Sequence, residues 1–362
     1  MSQNVYIHIP FCKQKCNYCS FVSYPNLSYK QQYISCLKEE IKAKYKNEIL
    51  KTLYFGGGTP SLMTIYELKS ILELFNIDET TEITLEINPE TVDKEYLKDL
   101  KTLGINRLSI GCQTFNDKIL KLIGRKHTSK QAIETVDFAN QAGFTNISLD
   151  FIYGLPNQTE KDFTKDLERA ITSDICHISL YGLKIDEGCI FYKNYPANLP
   201  DEDAQSVMYR NAINILTANN FEHYEISNFA KKGYESKHNL NYWNNNSYYG
   251  FGIAAHGYTN GIRYSNPVTF DEYFKNPIKP FETKKLSEQE KLEEEIFLGL
   301  RRMNGIDVGF INNKYNINFE EKYKSLLDKY ILSGHLVKTE NGYKFSTDGV
   351  LVSNYILADF LE

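Results

Sequence analysis

Three cysteines lie on one short stretch, YIHIPFCKQKCNYCSF, at Cys12, Cys16 and Cys19. The spacing C-x3-C-x2-C brings three thiolates within reach of one metal centre, with no fourth cysteine close by. Structural zinc takes four protein ligands, usually as two separated pairs. His8 is the nearest other ligand type, but it falls in a strand-like run. Its side chain should point away from a centre formed beyond the strand end. Three thiols on one loop suit a [4Fe–4S] cluster better, with one iron left open to a ligand or substrate. A zinc site and inert thiols are the alternatives. Cys36, Cys112, Cys176 and Cys189 are scattered and read as small buried hydrophobes.

Strands and helices must position such a loop. Short apolar runs at 5–9, 52–55, 82–87, 107–112, 146–153 and 177–183 read as strands. Between them lie stretches of period near 3.6. DKEYLKDLKTLG has Asp93 as N-cap and Gly104 past its end, and SKQAIETVDFANQAG is expected to be capped by Ser129 and closed by Gly143. Further helices are expected after LPNQTEKDF and through DEDAQSVMYRNAINILTANN. Six β-then-α units in a row imply parallel strands with right-handed crossovers. The fold class is α/β: a TIM-like barrel, complete or partial, fits best, and a doubly wound sheet is its competitor. Both place functional residues at strand carboxyl ends. The cysteine loop, GGGTPS, NPE, QTFN and GLP each follow a strand in turn.

Beyond about Asn220 the text becomes dense in Tyr, Asn, Gly and His and reads as loop and short strands. From Ser287 a charged helical segment begins, a second helix is expected over 319–333, and LVKTENGYKFS reads as a hairpin turning at Asn341-Gly342. A short apolar helix ends the chain. The expected organisation is a barrel over 1–225, a connecting segment over 226–284, and a mostly helical, winged-helix-like module over 285–362.

A C-x3-C-x2-C loop just after the first strand of a βα barrel resembles the radical S-adenosylmethionine (SAM) superfamily. The resemblance implies a partial (β/α)6 barrel in which the methionyl amino and carboxylate groups of SAM chelate the open iron. One electron from the cluster then splits SAM into methionine and a 5′-deoxyadenosyl radical. Tyr18, between the last two cysteines, matches the aromatic that packs near the adenine in that family. Glycines allow close backbone approach, and GGGTPS, with Gly57, Gly58 and Thr59, matches the stretch that meets the methionyl amino group. Glu86 stands where the family places a SAM-contacting carboxylate. Gln113 and Asp150 can hydrogen-bond ribose hydroxyls, and the planar fork of Arg125 can clamp the SAM carboxylate. Tyr6 completes the set expected around SAM.

YIHIPFC…CNYCSF, YFGGGTPS, RLSIGCQTFND, GRKHT, DFIYGLPNQT and HISLYGLKIDEGCIFY together resemble the oxygen-independent coproporphyrinogen III oxidase family. Two classes share these motifs. The oxidase uses the radical for oxidative decarboxylation of two porphyrinogen propionates. It usually carries an N-terminal extension and a fourth cysteine two residues beyond the third. Here only Met1–Val5 precedes Tyr6, and that position is Phe21. The haem-chaperone class resembles this chain in both respects and carries H-N-x-x-Y-W, present as His238, Asn239, Tyr242 and Trp243. Tyr242 and Trp243 offer aromatic faces for a macrocycle, and His238 offers an imidazole for its iron. A structural role for the same four residues is the alternative.

The function expected is that of a radical-SAM haem chaperone that delivers haem to apo-haemoproteins such as respiratory subunits, with an electron donor as a further partner. The decarboxylating oxidase is the alternative. Whether SAM is cleaved is left open. At 362 residues with net charge -5, the chain has no basic footprint for nucleic acid. No apolar run approaches the roughly 20 residues of a membrane span, and MSQNVYIHIPF has neither a basic nor a long apolar leader region. A cytoplasmic protein is expected, with at most peripheral membrane association.

Overall fold

In the computed structural model, which describes residues 3–361, nine strands form one mixed sheet. They are β1 (Asn4–Ile9), β2 (Thr52–Gly57), β3 (Glu82–Ile87), β4 (Arg107–Gln113), β5 (Asn146–Tyr153), β6 (His177–Gly182), β7 (Glu222–Glu225), β8 (Asn228–Ala230) and β9 (Tyr249–Phe251). Their spatial order is β7-β8-β6-β5-β4-β3-β2-β1-β9. β1 to β6 pair in parallel, each with the next. β9 adds in parallel to β1, and β8 and β7 add antiparallel beyond β6. Strand order follows chain order from β1 to β6, so there is no reversal of the kind a doubly wound sheet requires. The chain is a partial, curled barrel.

The crossover helices are α1 (Lys30–Lys44), α2 (Ile65–Leu72), α3 (Lys94–Thr102), α4 (Asp117–Leu122), α5 (Ser129–Gln141) and α6 (Glu160–Ile171). Asp93 caps α3 through the Tyr96 amide. The cap of α5 is Thr128 rather than Ser129, because Gln131 stands three residues after Thr128 and closes a capping box with it. After β6 come α7 (Ile190–Lys193) and α8 (Glu202–Ala218), and α9 (Lys237–Trp243) precedes β9.

Alternation along the strands divides the barrel into two faces. Val5, Ile7 and Ile9, Ile83, Leu85 and Ile87, and Ile147, Leu149 and Phe151 pack in the core shared with the helices. Tyr6, His8, Glu86, Arg107, Ser109, Ser148, Asp150 and His177 alternate with them and form a polar lumen. Arg107 is the largest of these and is only 2% exposed.

The segment read as loop and short strands does hold short strands, β9 among them, but also a helix, α9. β9 is three residues long and escapes a periodicity reading, yet it completes one edge of the sheet. β10 (His256–Thr259), β11 (Ile262–Ser265) and β12 (Glu282–Lys285) form a separate antiparallel sheet. The C-terminal part begins with a helix at Glu288–Gly299, capped by Ser287 in a capping box. A helix at Val308–Tyr315 follows, which the sequence reading lacks. The expected helix over 319–333 is two, Phe319–Lys322 and Lys324–Leu332, broken where Tyr323 leaves helical dihedrals. β13 (Ile306–Asp307), β14 (Leu336–Lys338) and β15 (Gly342–Phe345) make a small sheet in the order β13-β15-β14. Leu292, Ile296, Leu300, Phe319 and Phe345 share a second core with Tyr209 of α8. Two backbone hydrogen bonds reinforce that seam: Ile226 N–H to Arg301 O at 2.9 Å and Met303 N–H to Tyr224 O at 3.0 Å.

Candidate functional site

A cavity of about 410 Å³ opens at the carboxyl ends of the barrel strands. This is where a parallel barrel concentrates chemistry. Cys12, Cys16, Cys19, Tyr18, Gly57, Gly58, Thr59, Glu86, Gln113, Arg125 and Asp150 all line it. They come from the first five strand ends and their loops. Tyr6 lies deeper. Its ring stacks at 6.1 Å on Tyr54, which does line the cavity.

The cysteine loop is fastened at several points. Cys12 N–H donates to Tyr24 O at 3.1 Å, and Tyr24 N–H to Pro10 O at 2.8 Å. Asn17 N–H reaches Ile123 O at 3.0 Å, and Asn17 O accepts from Phe191 N–H at 2.8 Å. His8 pins the return of the loop: its Nε2 donates to Val22 O at 2.8 Å, so Nδ1 is left to accept from Tyr6 OH at 3.1 Å. Both nitrogens are thus engaged away from the thiols. Burial pushes the Cys12 thiol up and the Cys19 thiol to about 11. Neutral thiols are therefore favoured until a cationic group enters among them.

Gly56, Gly57 and Gly58 have a packing role that the sequence reading does not contain. A Cβ on Gly57, whose φ is +110°, would lie 2.6 Å from the His8 ring, and one on Gly58 would lie 2.7 Å from Phe11 O. The Gly58 amide donates to Ile9 O at 2.8 Å and the Gly57 amide to Glu86 Oε2 at 3.1 Å. Both N–H groups are therefore occupied within the protein.

Glu86 also accepts from Tyr54 OH at 2.9 Å. Burial, opposed by these two bonds, pushes its carboxyl up to about 7. Asp150 is aimed by Ser109 at 2.7 Å and Ser148 at 3.0 Å. Gln113 sits at a break in the β4–β5 register with φ +67°. A left-handed conformation is costly for a non-glycine residue and is found where surrounding structure enforces it, often at binding sites.

Arg125 reaches across the cavity wall. Its Nη2 donates to Asn88 Oδ1 at 2.7 Å and to Gly111 O at 2.6 Å, while Nη1 faces Cys16 Sγ at 3.8 Å. Its buried Nε has no hydrogen-bond partner. Tyr54, Asn88, Ser109 and Tyr181 also line the cavity and are absent from the sequence-derived set. Tyr54, Ser109 and Tyr181 share the strand alternation that marks Glu86 and Asp150; Asn88 directly follows a strand.

The three thiols and their neighbours suit an iron–sulfur group better than a single metal ion. Among the described residues no three His, Cys, Asp or Glu side chains gather tightly enough for a single metal ion. One zinc with Zn–S bonds of ~2.3 Å would draw its thiolates into near contact. A cube takes one thiolate on each of three irons, and the three thiols here line one cavity of about 410 Å³. Thr59 Oγ1 at 3.4 Å from Cys12 Sγ and Arg125 supply the hydrogen bonds that such sulfurs accept.

The H-N-x-x-Y-W residues lie elsewhere. They sit on α9, at the end of the barrel where β2 and β3 begin. His238 is 1% exposed. Its Nδ1 meets Thr52 Oγ1 at 2.7 Å, its Nε2 meets Tyr242 OH at 2.9 Å, and its amide donates to Glu82 at 3.1 Å. The ring stacks on Tyr54 at 5.0 Å. Trp243 is half-buried beside Arg301, and Asn239 serves the Ser236 cap of α9. The structure does not bring these four residues to the cysteine cavity. His238 does not line that cavity but lies one ring beneath it, stacked on Tyr54, which does.

The chain resembles known proteins along its whole length. Residues 6–170 match the radical SAM superfamily and residues 286–352 match the HemN C-terminal domain. A heme chaperone HemW from Lactococcus lactis is 36% identical over 368 residues, covering 99% of this chain and 97% of that protein. The heme chaperone HemW of Bacillus subtilis is 36% identical over 375 residues, covering 99% of each chain. The Escherichia coli protein of that name is 32% identical, covering 99% of this chain and 98% of its own. The solved structure of coproporphyrinogen III oxidase (HemN) from Escherichia coli superposes with a TM-score of 0.88 at 21% identity, over 99% of this chain and 89% of that one. At that identity the likeness concerns the fold. With relatives above 30% identity along its whole length, the chain belongs to the HemW family of the radical SAM superfamily.

Proposed function

We propose that this protein is a radical-SAM haem chaperone: it holds a [4Fe–4S] cluster and SAM in the barrel cavity, binds haem, and passes haem to apo-haemoproteins such as respiratory subunits. The convergence of three thiols with Thr59, Glu86, Gln113, Arg125 and Asp150 in one cavity carries the reading. The names of the full-length relatives support its haem part.

Cys12, Cys16 and Cys19 would hold the cluster, which when bound supplies an open iron and one-electron chemistry. Glu86, fixed by Tyr54 and Gly57, offers a carboxylate to an amino group. Asp150, fixed by two serine hydroxyls, and Gln113 offer acceptors to ribose hydroxyls. Arg125, whose Nη1 faces Cys16, lines the cavity and suits a carboxylate. Tyr18 and the Tyr6–Tyr54 stack close the apolar sides and exclude water. In this reading an electron donor reduces the cluster, and the protein works in the cytoplasm with at most peripheral membrane contact. No helix among the described residues is long and apolar enough to cross a membrane.

Haem at the H-N-x-x-Y-W motif requires α9 to release His238 from Thr52 and Tyr242. Binding there predicts faster amide exchange over residues 237–243 when haem is added. Unchanged exchange, with haem bound, places haem elsewhere. The anaerobically reconstituted protein is to be given haem in one experiment and coproporphyrinogen with SAM in another. Tight haem binding without protoporphyrinogen is expected; carbon dioxide and protoporphyrinogen would instead identify an oxidase.

A further inference from the structure

Asn88 directly follows β3. Its side-chain amide uses both ends. Nδ2 donates to Thr59 Oγ1 at 2.9 Å, and Oδ1 accepts from Arg125 Nη2 at 2.7 Å. Each partner in turn faces a thiol: Thr59 Oγ1 is 3.4 Å from Cys12 Sγ, and Arg125 Nη1 is 3.8 Å from Cys16 Sγ. The path Cys12–Thr59–Asn88–Arg125–Cys16 is continuous. An amide is the group that suits its centre, because Thr59 needs a donor if its own proton is to point at sulfur, and Arg125 needs an acceptor.

The local turn does not depend on this side chain. The turn at Pro89–Thr91 is held by Asn88 backbone atoms: O accepts from Thr91 N–H at 2.9 Å and from Thr91 Oγ1 at 2.7 Å, and N–H donates to Ser61 Oγ at 3.2 Å. The side chain is free of the fold's requirements and committed to the two residues that touch the thiols.

We propose that Asn88 is a positioning residue that joins Thr59 and Arg125 into one hydrogen-bonded strap across two cluster thiolates and so raises the reduction potential of the cluster. Hydrogen bonds to ligating sulfur stabilise the more negatively charged, reduced state, and outer-shell partners set those bonds. The inference rests on the proposed cluster at Cys12, Cys16 and Cys19.

Two variants of the full chain test it, N88A and N88D, reconstituted anaerobically and titrated redox-wise with EPR detection at matched iron and sulfide content. N88A frees both partners and should move the midpoint potential negative. N88D keeps an acceptor for Arg125 but draws the Thr59 proton away from Cys12 and adds a negative charge, so its shift should be larger. The expected order is wild type, then N88A, then N88D as the most negative. Equal potentials in the three proteins, or a positive shift, overturn the strap. So does loss of the cluster from both folded variants, which would assign Asn88 to cluster assembly instead. A wild-type protein that binds no cluster defeats the proposed function itself, a result distinct from any of these.

Discussion

Glu86 is half-buried in the cavity wall and has only two hydrogen-bond donors, Tyr54 and the Gly57 amide. Its carboxyl titrates near 7 in the folded chain because burial disfavours the charge. An acid whose folded value is raised is neutral in both states below its unfolded value and ionised in both above 7. Its cost to stability is therefore absent at low pH and fully present above 7. Replacing it by glutamine should raise the melting temperature relative to wild type progressively from pH 4.5 to pH 8. A difference independent of pH would contradict the placement. His238 makes the opposite case. Burial holds its imidazole neutral, down to about 3, and its two ring bonds close the barrel floor. His238→Ala strands the Thr52 and Tyr242 hydroxyls and opens a void, for about 2–4 kcal/mol in denaturant unfolding at pH 7. A cost below ~0.5 kcal/mol, the range of an ordinary surface change, would remove it from that role. The cysteines were legible as a group because residue type, spacing and strand-end position spoke together, and Asp150 by its strand-end position; Glu86 was reached through the family resemblance, and all of them line one cavity. Asn88 was not, since a lone asparagine after a strand is an ordinary turn residue.

At the scale of elements, β1 and β2 interlock through an absent side chain. The His8 ring occupies the space beside Gly57, at φ +110°. Gly57→Ala meets both the ring and a backbone conformation hostile to Cβ, so it should destabilise by about 2–4 kcal/mol. It should also loosen the cysteine loop, which His8 holds through Val22. Thermal unfolding together with limited proteolysis of residues 11–29 checks both effects; an unchanged melting temperature would contradict them. Strand positions were legible, and so was the polar face: in EITLEI and NISLDF the polar residues alternate with the apolar ones that meet the helices. α9 and β9 were not, because seven and three residues carry too little periodicity. Their places are set by distant partners, Thr52 and Glu82 for α9 and β1 for β9.

The whole molecule depends on the seam between the barrel and its C-terminal part. Tyr209 of α8 is buried in the second core, and the 222–226 segment hydrogen-bonds Arg301 and Met303. Removing residues 286–362 should expose Tyr209, lower the melting temperature of the remaining barrel and raise dye binding to exposed apolar surface. A barrel that melts unchanged would show the two parts to be independent. In the proposed reading, three thiols at the barrel cavity hold a cluster with one iron open to SAM. Anaerobic reconstitution of the full chain, with iron and sulfide quantified and the reduced EPR spectrum recorded with and without SAM, tests it most directly. About four irons and four sulfides per chain are expected, with a spectrum that SAM alters, and loss of both in Cys16→Ser. A protein that retains no iron and sulfide, or a cluster whose spectrum is indifferent to SAM, would contradict it.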